Sequence, residues 1–374
     1  MKILYLTNNL KALDGWSAYS LSYIKEIQKN GHEVLCLTSE KSEQNEIKEV
    51  VVLKTPLKYF NNPMTAIFSS LKISRLIKSF SPDIIHFMVE PYAAILPFLF
   101  NIKSKFCLTI HGTYAVRPLE YDRISRFLSR AYYKKIDGLV AVSNYTFNYL
   151  LEKFPEISQR NHVFKTRVIN NGIDLEKHKI IDIKEKPLNT IKKILFVGQI
   201  KQRKGILQTI EALKYYRDNF SDNFIYDIVG KFDKNSDYFK AIQQKIEDYD
   251  LKNNIFLRGE VSIYELENYY RNADLFMMLP VKVNNEFEGF GLVFLEANTK
   301  GVPCIGSRNC GAQEAILDGV TGYVVDSRDP KEVAQKMYLI LDGKSIKPQE
   351  CIEWAIKNDI KIKAKELMEF YKII

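Results

Sequence analysis

Two glutamates eight positions apart, Glu288 and Glu296, stand in the segment NEFEGFGLVFLEANTKGVPCIGS. A carboxylate at a helix mouth and another along the same helix can hold different parts of one ligand. Gly289 and Gly291 lie between them; glycine lets backbone N–H groups approach an anion that a helix N-terminus already favours. The helix is expected to begin near Gly289 or Phe290, with Glu288 just before it and Glu296 turned toward sugar hydroxyls, as acidic residues are in nucleotide folds. The second such segment is KILFVGQIKQRKGI, where an apolar strand ends at Gly198 and Lys201, Arg203 and Lys204 follow before Gly205. Cations fixed just past a strand end suit a pyrophosphate and stabilise a departing phosphate. The residues alone leave plainer readings open, a solvated glutamate and an ordinary basic loop. Gly311, Glu314, Gly319 and Gly322 read as helix-entry and turn positions.

Strand ends must carry these segments. Short β-branched runs alternate with longer amphipathic stretches, from residues 2–7 to 167–171 in the first half and from 193–198 to 321–326 in the second. Near-continuous apolar strands separated by helices imply parallel sheets covered on both faces, and right-handed crossovers wind them into α/β domains. The expected architecture is two doubly wound, Rossmann-like domains facing a central cleft, with the polar, lysine-rich stretch 175–190 between them. The domains are expected at 1–180 and 181–355, with a final helix over 356–374. Ligands of such sheets bind beyond the strand C-termini, which suggests a nucleotide or phosphate and names no reaction.

Composition narrows the class. Of 374 residues 46% are apolar and 26% charged, a globular balance with ample core material. The longest uncharged apolar stretch, PYAAILPFLF, is half the ~20 residues a membrane span needs. The opening MKILYLTNNL reads as a strand, not as a secretion signal. Five cysteines without a CxxC pair predict reduced thiols in a cytoplasmic protein and neither a zinc site nor a disulfide frame. The net charge of +9 lies wholly in residues 1–187, with 27 Lys and Arg against 18 Asp and Glu; residues 188–374 hold 27 of each. That asymmetry points to an anionic partner of the first half, a membrane surface or an acidic substrate, or else to a merely lysine-rich surface.

The ordered set of 198–205, EGFGLVFLE, GVPCIGS, GAQEA and DGVTG resembles the donor domain of retaining glycosyltransferases of family 4, which have the GT-B fold. RVINNGID, DGWSAYS, PDIIHF and TIHGT extend the resemblance over most of the chain. It implies that Glu296 binds the nucleotide ribose, that Glu288 touches the transferred sugar, and that the amides of Gly289, Phe290, Gly291 and Leu292 meet sugar hydroxyls or the distal phosphate. The family's Arg and Lys on the pyrophosphate fall on Gln199 and Lys204; Gln199 lacks the charge, which Lys201 or Arg203 would have to supply. Val261 matches a position that contacts the base. The family's Gly-Gly loop becomes Asp14-Gly15, an unfavourable charge near phosphate unless Lys11 or another cation pairs with it. His111 matches a histidine facing the donor sugar, whereas His86 reads as structural.

The resemblance further implies retention of anomeric configuration through an oxocarbenium-like state, with the leaving pyrophosphate taking the acceptor's proton, and no cofactor. No metal is expected, because Lys and Arg supply the charge. An inactive nucleotide-sugar-binding homologue with a regulatory role is the rival reading, supported by Gln199 and Asp14. An oxidoreductase is disfavoured, since TNNLKALDGW lacks GxGxxG, and no module for nucleic acid is present. Similarity to mannosyltransferases acting on phosphatidylinositol mannosides mildly favours GDP-mannose over a UDP-sugar. The expected acceptor is a glycan or lipid-linked glycan of the cell envelope, bound by the first domain. There Arg123, Arg126, Arg130 and Lys134 recur on one helical face, with Ile124, Phe127, Leu128 and Ala131 as its apolar side. Residues 65–80 repeat this pattern with Lys72, Arg75 and Lys78. Basic amphipathic helices can rest on anionic lipid, so peripheral membrane contact is expected.

Overall fold

The computed structural model describes residues 1–12, 14–60, 62–156, 164–181 and 190–374. Part of the predicted linker, residues 182–189, lies outside the described residues. The chain divides into two compact units. Unit 1 comprises Met1–Gly172 and Ile360–Ile374, and unit 2 comprises Ile173–Asp359.

Unit 1 is built on β1 (Lys2–Leu6), β2 (Glu33–Thr38), β3 (Glu49–Val51), β4 (Ile84–Phe87), β5 (Lys105–Ile110), β6 (Gly138–Ala141) and β7 (Lys165–Val168). These form one parallel sheet in the order β3-β2-β1-β4-β5-β6-β7. Its helices are α1 (Gly15–Lys29), α2 (Pro63–Phe80), α3 (Thr113–Tyr121), α4 (Arg123–Tyr133) and α5 (Asn144–Lys153), with short 3₁₀ segments at Pro56–Tyr59 and Glu90–Phe98. Unit 2 has β8 (Lys192–Val197), β9 (Phe224–Val229), β10 (Ile255–Gly259), β11 (Leu275–Met277), β12 (Cys304–Ser307) and β13 (Gly322–Val325), parallel in the order β10-β9-β8-β11-β12-β13. Its helices are α6 (Ile206–Asn219), α7 (Asp237–Asp248), α8 (Ile263–Asn272), α9 (Leu292–Thr299), α10 (Pro330–Leu341) and α11 (Pro348–Lys357). The last helix, α12 (Ile360–Tyr371), is part of unit 1 and packs on α1.

The two α/β sheets match the architecture expected from the strand–helix alternation. Ile3 to Leu6 of β1 and Ile194 to Phe196 of β8 are buried, as strands covered on both faces must be. The unit boundaries fall at Gly172/Ile173 and Asp359/Ile360, outside the lysine-rich stretch taken from composition to mark them. A Cβ on Gly172 would stand 2.7 Å from the Ile360 backbone, so the chain passes between units where two backbones touch, a feature composition does not register.

The C-terminal helix completes the core of unit 1. His86 Nδ1 lies 2.5 Å from the Tyr371 hydroxyl and its Nε2 lies 2.8 Å from Thr109 Oγ1. Burial, reinforced by His111, pushes this imidazole down to about 3, so His86 is a neutral core residue.

Candidate active site

In each sheet the strand order reverses once, between β1 and β4 in unit 1 and between β8 and β11 in unit 2. The crevice beyond such a reversal is where open parallel sheets bind ligands.

In unit 2 the loop after β8 turns through the 3₁₀ segment Gln202–Lys204 into Gly205. Gly205 has φ +70°, and a Cβ there would stand 1.6 Å from the Leu279 carbonyl oxygen. Only glycine lets this turn press on the loop after β11, where the Val281 N–H donates to the Arg203 carbonyl at 3.0 Å. Two cations thereby reach one carboxylate oxygen: Arg203 Nη1 is 2.6 Å and Lys204 Nζ 2.7 Å from Glu288 Oε2. The Glu288 carbonyl accepts the Gly311 N–H at 2.8 Å, and a Cβ on Gly311 would stand 1.9 Å from the Gly289 carbonyl oxygen. Burial alone would raise the Glu288 carboxyl; the charges and hydrogen bonds of Lys204 and Arg203 outweigh it and hold the group down at about 2. Burial and the Arg203 charge lower Lys204, while Glu288 opposes them. Two cations on one anion leave a partly buried net charge of +1, a seat for a further anion such as a phosphate oxygen.

The helix expected from Gly289 or Phe290 starts later. Gly291 is left-handed at φ +87° and caps α9, so Gly289 and Phe290 belong to the preceding loop. Glu296 lies a little over one turn into α9, and its Oε2 accepts from the Tyr270 hydroxyl at 2.6 Å. His178 stands between carboxylates, with Nε2 3.9 Å from Glu296 Oε1 and Nδ1 3.4 Å from Glu267 Oε1. Lys300, buried, lies 2.5 Å from Glu267 Oε2. Burial raises Glu267, but the hydrogen bonds and charges of His178 and Lys300 bring it down to about 2. This α8–α9 brace was not legible in the sequence, where α8 shows only as an amphipathic run and no spacing links it to His178. Val261 sits half-buried ahead of α8, which Ser262 and Glu265 close with a capping box. Gln199 and Lys201 are exposed; Arg203 is the cation that joins Lys204.

In unit 1, Asp14 is the N-cap of α1, its Oδ1 accepting the Ser17 N–H at 2.9 Å, and Gly15 is the first helical residue. Lys11 does not pair with Asp14: it pairs with Glu40 at 3.0 Å, while Asp14 is engaged in capping. His111 follows β5, with Nε2–H donating to the Met88 carbonyl at 2.8 Å and Tyr19 edge-on at 4.6 Å. Burial pushes this imidazole down to about 4, against the opposing Met88 bond and Asp14 charge, so it is neutral.

The apolar side expected of α4 is partly corrected. Leu128 is buried, but Ile124 and Phe127 are 60% and 71% exposed, and Ser125 and Ser129 face inward instead. The helix is amphipathic, with its buried stripe on Ser125, Leu128, Ser129, Tyr132 and Tyr133. Arg126 Nε donates to the Leu119 carbonyl at 2.7 Å and Arg130 pairs with Glu156 at 2.6 Å, while Arg123 and Lys134 are exposed. Among the described residues, no helix is long and apolar enough to cross a membrane, and no group of three His, Cys, Asp or Glu is placed to hold a metal.

Comparison with known proteins fits this division. The model described as Glycosyltransferase Family 4 matches residues 13–177, and that described as Glycosyl transferases group 1 matches residues 176–358. The chain belongs with these glycosyltransferases. Across the two units the glycosyltransferase is 27% identical to the uncharacterized glycosyltransferase MJ1178 of Methanocaldococcus jannaschii, over 83% of this chain and 80% of that protein. It is 30% identical to the GDP-mannose-dependent alpha-(1-6)-phosphatidylinositol monomannoside mannosyltransferase of Mycolicibacterium smegmatis, over 36% of this chain and only 35% of that enzyme. The fold is that of a glycosyltransferase from Rickettsia africae, at TM-score 0.76 and 20% identity over 99% of this chain and 97% of that one. Anabaena Alr3699/HepE, solved with UDP and glucose, gives TM-score 0.76 and 18% identity over all of both chains.

Proposed function

We propose that this glycosyltransferase moves a hexosyl group, with retention, from a nucleoside diphosphate sugar to a glycan or lipid-linked acceptor of the cell envelope. The observation that carries the reading is the meeting of Arg203 and Lys204 on Glu288 at the switch point of unit 2. Two cations fixed in a partly buried crevice stabilise charge growing on a departing diphosphate without waiting for solvent to reorganise. In this reading the diphosphate takes Lys204 and Arg203 from Glu288, whose freed oxygen accepts from the transferred sugar. Glu296, braced by Tyr270, takes the ribose, and Val261 meets the base. Gly289, Phe290, Gly291 and Leu292 offer amides to the sugar or the distal phosphate. The protein positions the acceptor, and the leaving phosphate receives its proton. Because the cations supply the charge, the reading needs no metal or cofactor.

Unit 1 is assigned the acceptor, with Gly15 near the donor phosphate and His111 facing the transferred sugar. Exposed Ile124 and Phe127 beside Arg123 favour peripheral contact with anionic lipid from the cytoplasmic side. The Mycolicibacterium relative favours GDP-mannose and Alr3699/HepE a UDP-sugar as donor. Thermal shift against UDP, GDP, ADP and NAD, with and without EDTA, decides between them. A ligand at ~100 times its dissociation constant adds ~2.7 kcal/mol. One diphosphate that stabilises regardless of EDTA supports the reading and names the base. No shift with any diphosphate overturns the reading, whereas a shift without sugar transfer favours the inactive nucleotide-sugar-binding homologue, for which exposed Gln199 and Asp14 speak.

A further inference from the structure

The switch point of unit 1 carries a second buried carboxylate, with the opposite surroundings. Glu90 comes three residues after β4 and is 2% exposed. Its partners are neutral N–H groups. Oε1 accepts from the His111 main chain at 2.5 Å, and the Gly112 N–H and the Trp16 indole also donate to the carboxylate.

These donors come from two places. His111 and Gly112 form the turn from β5 into α3, which Gly112 caps at φ +149°. Trp16 stands in the first turn of α1, directly after Asp14 and Gly15. One carboxylate therefore fastens both segments of unit 1 that the transferase reading turns toward the donor. The His111 ring is held from the same loop: Nε2–H donates to the Met88 carbonyl, which leaves Nδ1 as the acceptor. Where Nδ1 points depends on the His111 main chain, and so on Glu90.

Burial pushes the Glu90 carboxyl up to about 7, against the three donors. The groups that face it do not titrate there. Burial raises Tyr19 of α1, Tyr59, and Tyr132 and Tyr133 of α4, and it lowers His111 to about 4. The buried face of α2 carries no ionisable side chain, α3 meets the cleft beside Glu90 with Pro118, and the Asp14 charge acts on His111. Among these groups Glu90 alone changes charge near neutrality. A proton on it weakens the bonds from all three donors, because a carboxylic acid accepts less strongly than its anion. A carboxylate buried without a cation is costly, and departures of this kind from the rules of stability gather at functional sites.

We propose that Glu90 is a positioning residue of the transferase: as a carboxylate it fixes the His111 turn and the Trp16 end of α1 in the geometry the reaction needs, and protonation releases both. The proposal rests on the transferase reading.

The protein's two tryptophans make the test direct. Trp354→Phe leaves Trp16 as the sole indole of the full chain, and its emission is followed against pH. A change centred near pH 7 that Glu90→Gln abolishes is expected. Initial rates with the sugar donor that thermal shift identifies should fall as pH drops through the same range. Glu90→Gln should be roughly tenfold slower or more at about pH 8 and lack this acid limb, with the loss in kcat and the affinity for UDP or GDP unchanged. Because the buried charge is costly, the slower variant should be no less stable in urea. Trp16→Phe removes one donor to the charged form, so its acid limb should move to higher pH; this shift carries the test if Glu90→Gln fails to fold. Emission and rate profiles that Glu90→Gln leaves unaltered overturn the proposal, as does a diphosphate affinity that falls in step with kcat. If Trp16 reports the Glu90 titration while no diphosphate binds, the transferase reading fails and the ionisable fastening of the His111 turn stands. If diphosphate binds while neither emission nor rate responds to Glu90, the positioning role alone fails.

Discussion

Glu288 and Glu90 occupy equivalent places, each in a loop after a strand that flanks its sheet's reversal, yet their chemistry diverges. Glu288 meets two cations and is held down at about 2. Burial drives Glu90 up to about 7, and the N–H groups of His111 and Gly112 and the Trp16 side chain only soften that rise. The same winding therefore holds one carboxylate charged between cations in unit 2 and drives the other toward its neutral form by burial in unit 1. Topology sets where a site lies, while the side chains of the neighbouring loops set what it holds.

The sharpest way to break this contrast is to remove a cation. Lys204→Ala is expected to lower turnover by about 10²–10³, the scale of losing one transition-state donor. Near-normal initial rates with the identified sugar donor would take Lys204 out of the mechanism.

Next come stability changes of opposite sign. Glu288 sits below its unfolded value, so its contribution is present above about pH 4.5 and fades as pH falls through about 2. Glu288→Gln should cost about 3 kcal/mol at pH 7 and little near pH 2. Glu90 sits above its unfolded value, so the folded state is penalised as pH rises from about 4.5 to 7 and remains so beyond. Glu90→Gln should relieve about 3 kcal/mol at pH 8 and nothing at pH 4. Urea melts across this range check both, and equal signs would sink the comparison.

Gly311→Ala perturbs only the unit 2 site. Its Cβ would overlap the Gly289 carbonyl, so a loss of about 1–3 kcal/mol is expected in stability, with weaker diphosphate binding in a thermal-shift titration. The smallest effects belong to the exposed face of α4. Each cation facing anionic lipid adds ~1 kcal/mol, so replacing Arg123, Arg126 and Arg130 by Glu should release the protein from anionic vesicles on sedimentation. Arg126 and Arg130 already have protein partners, so Arg123→Glu should account for most of the loss. Unchanged sedimentation would remove lipid contact from the role assigned to unit 1.

The sheets were legible because alternation of apolar runs and amphipathic stretches is a local property. Glu288, Glu296 and Lys204 were legible because glycines and charges crowd into short segments. The partner of Lys204 was only half visible: the neighbouring cation needed to be Arg203, whose reach depends on how tightly Gly205 packs under Leu279. Glu90 was missed although it is a single charge inside the apolar stretch MVEPYAAILPF, a pattern that warrants suspicion by itself. Ser125 and Ser129 turned inward where Ile124 and Phe127 were expected, because helical spacing identifies two faces without saying which one the fold covers.

The docking of α12 in unit 1 sets an order of events in synthesis. Residues 173–359 form a unit from one uninterrupted stretch, whereas residues 1–172 wait for residues 360–374. Until Tyr371 leaves the ribosome, His86 lacks one of its two partners and the α1 surface is uncovered. The first unit made is thus the second to be finished, and a nascent chain stalled before residue 360 would display a finished unit 2 together with an open sheet domain, a form for chaperones to hold.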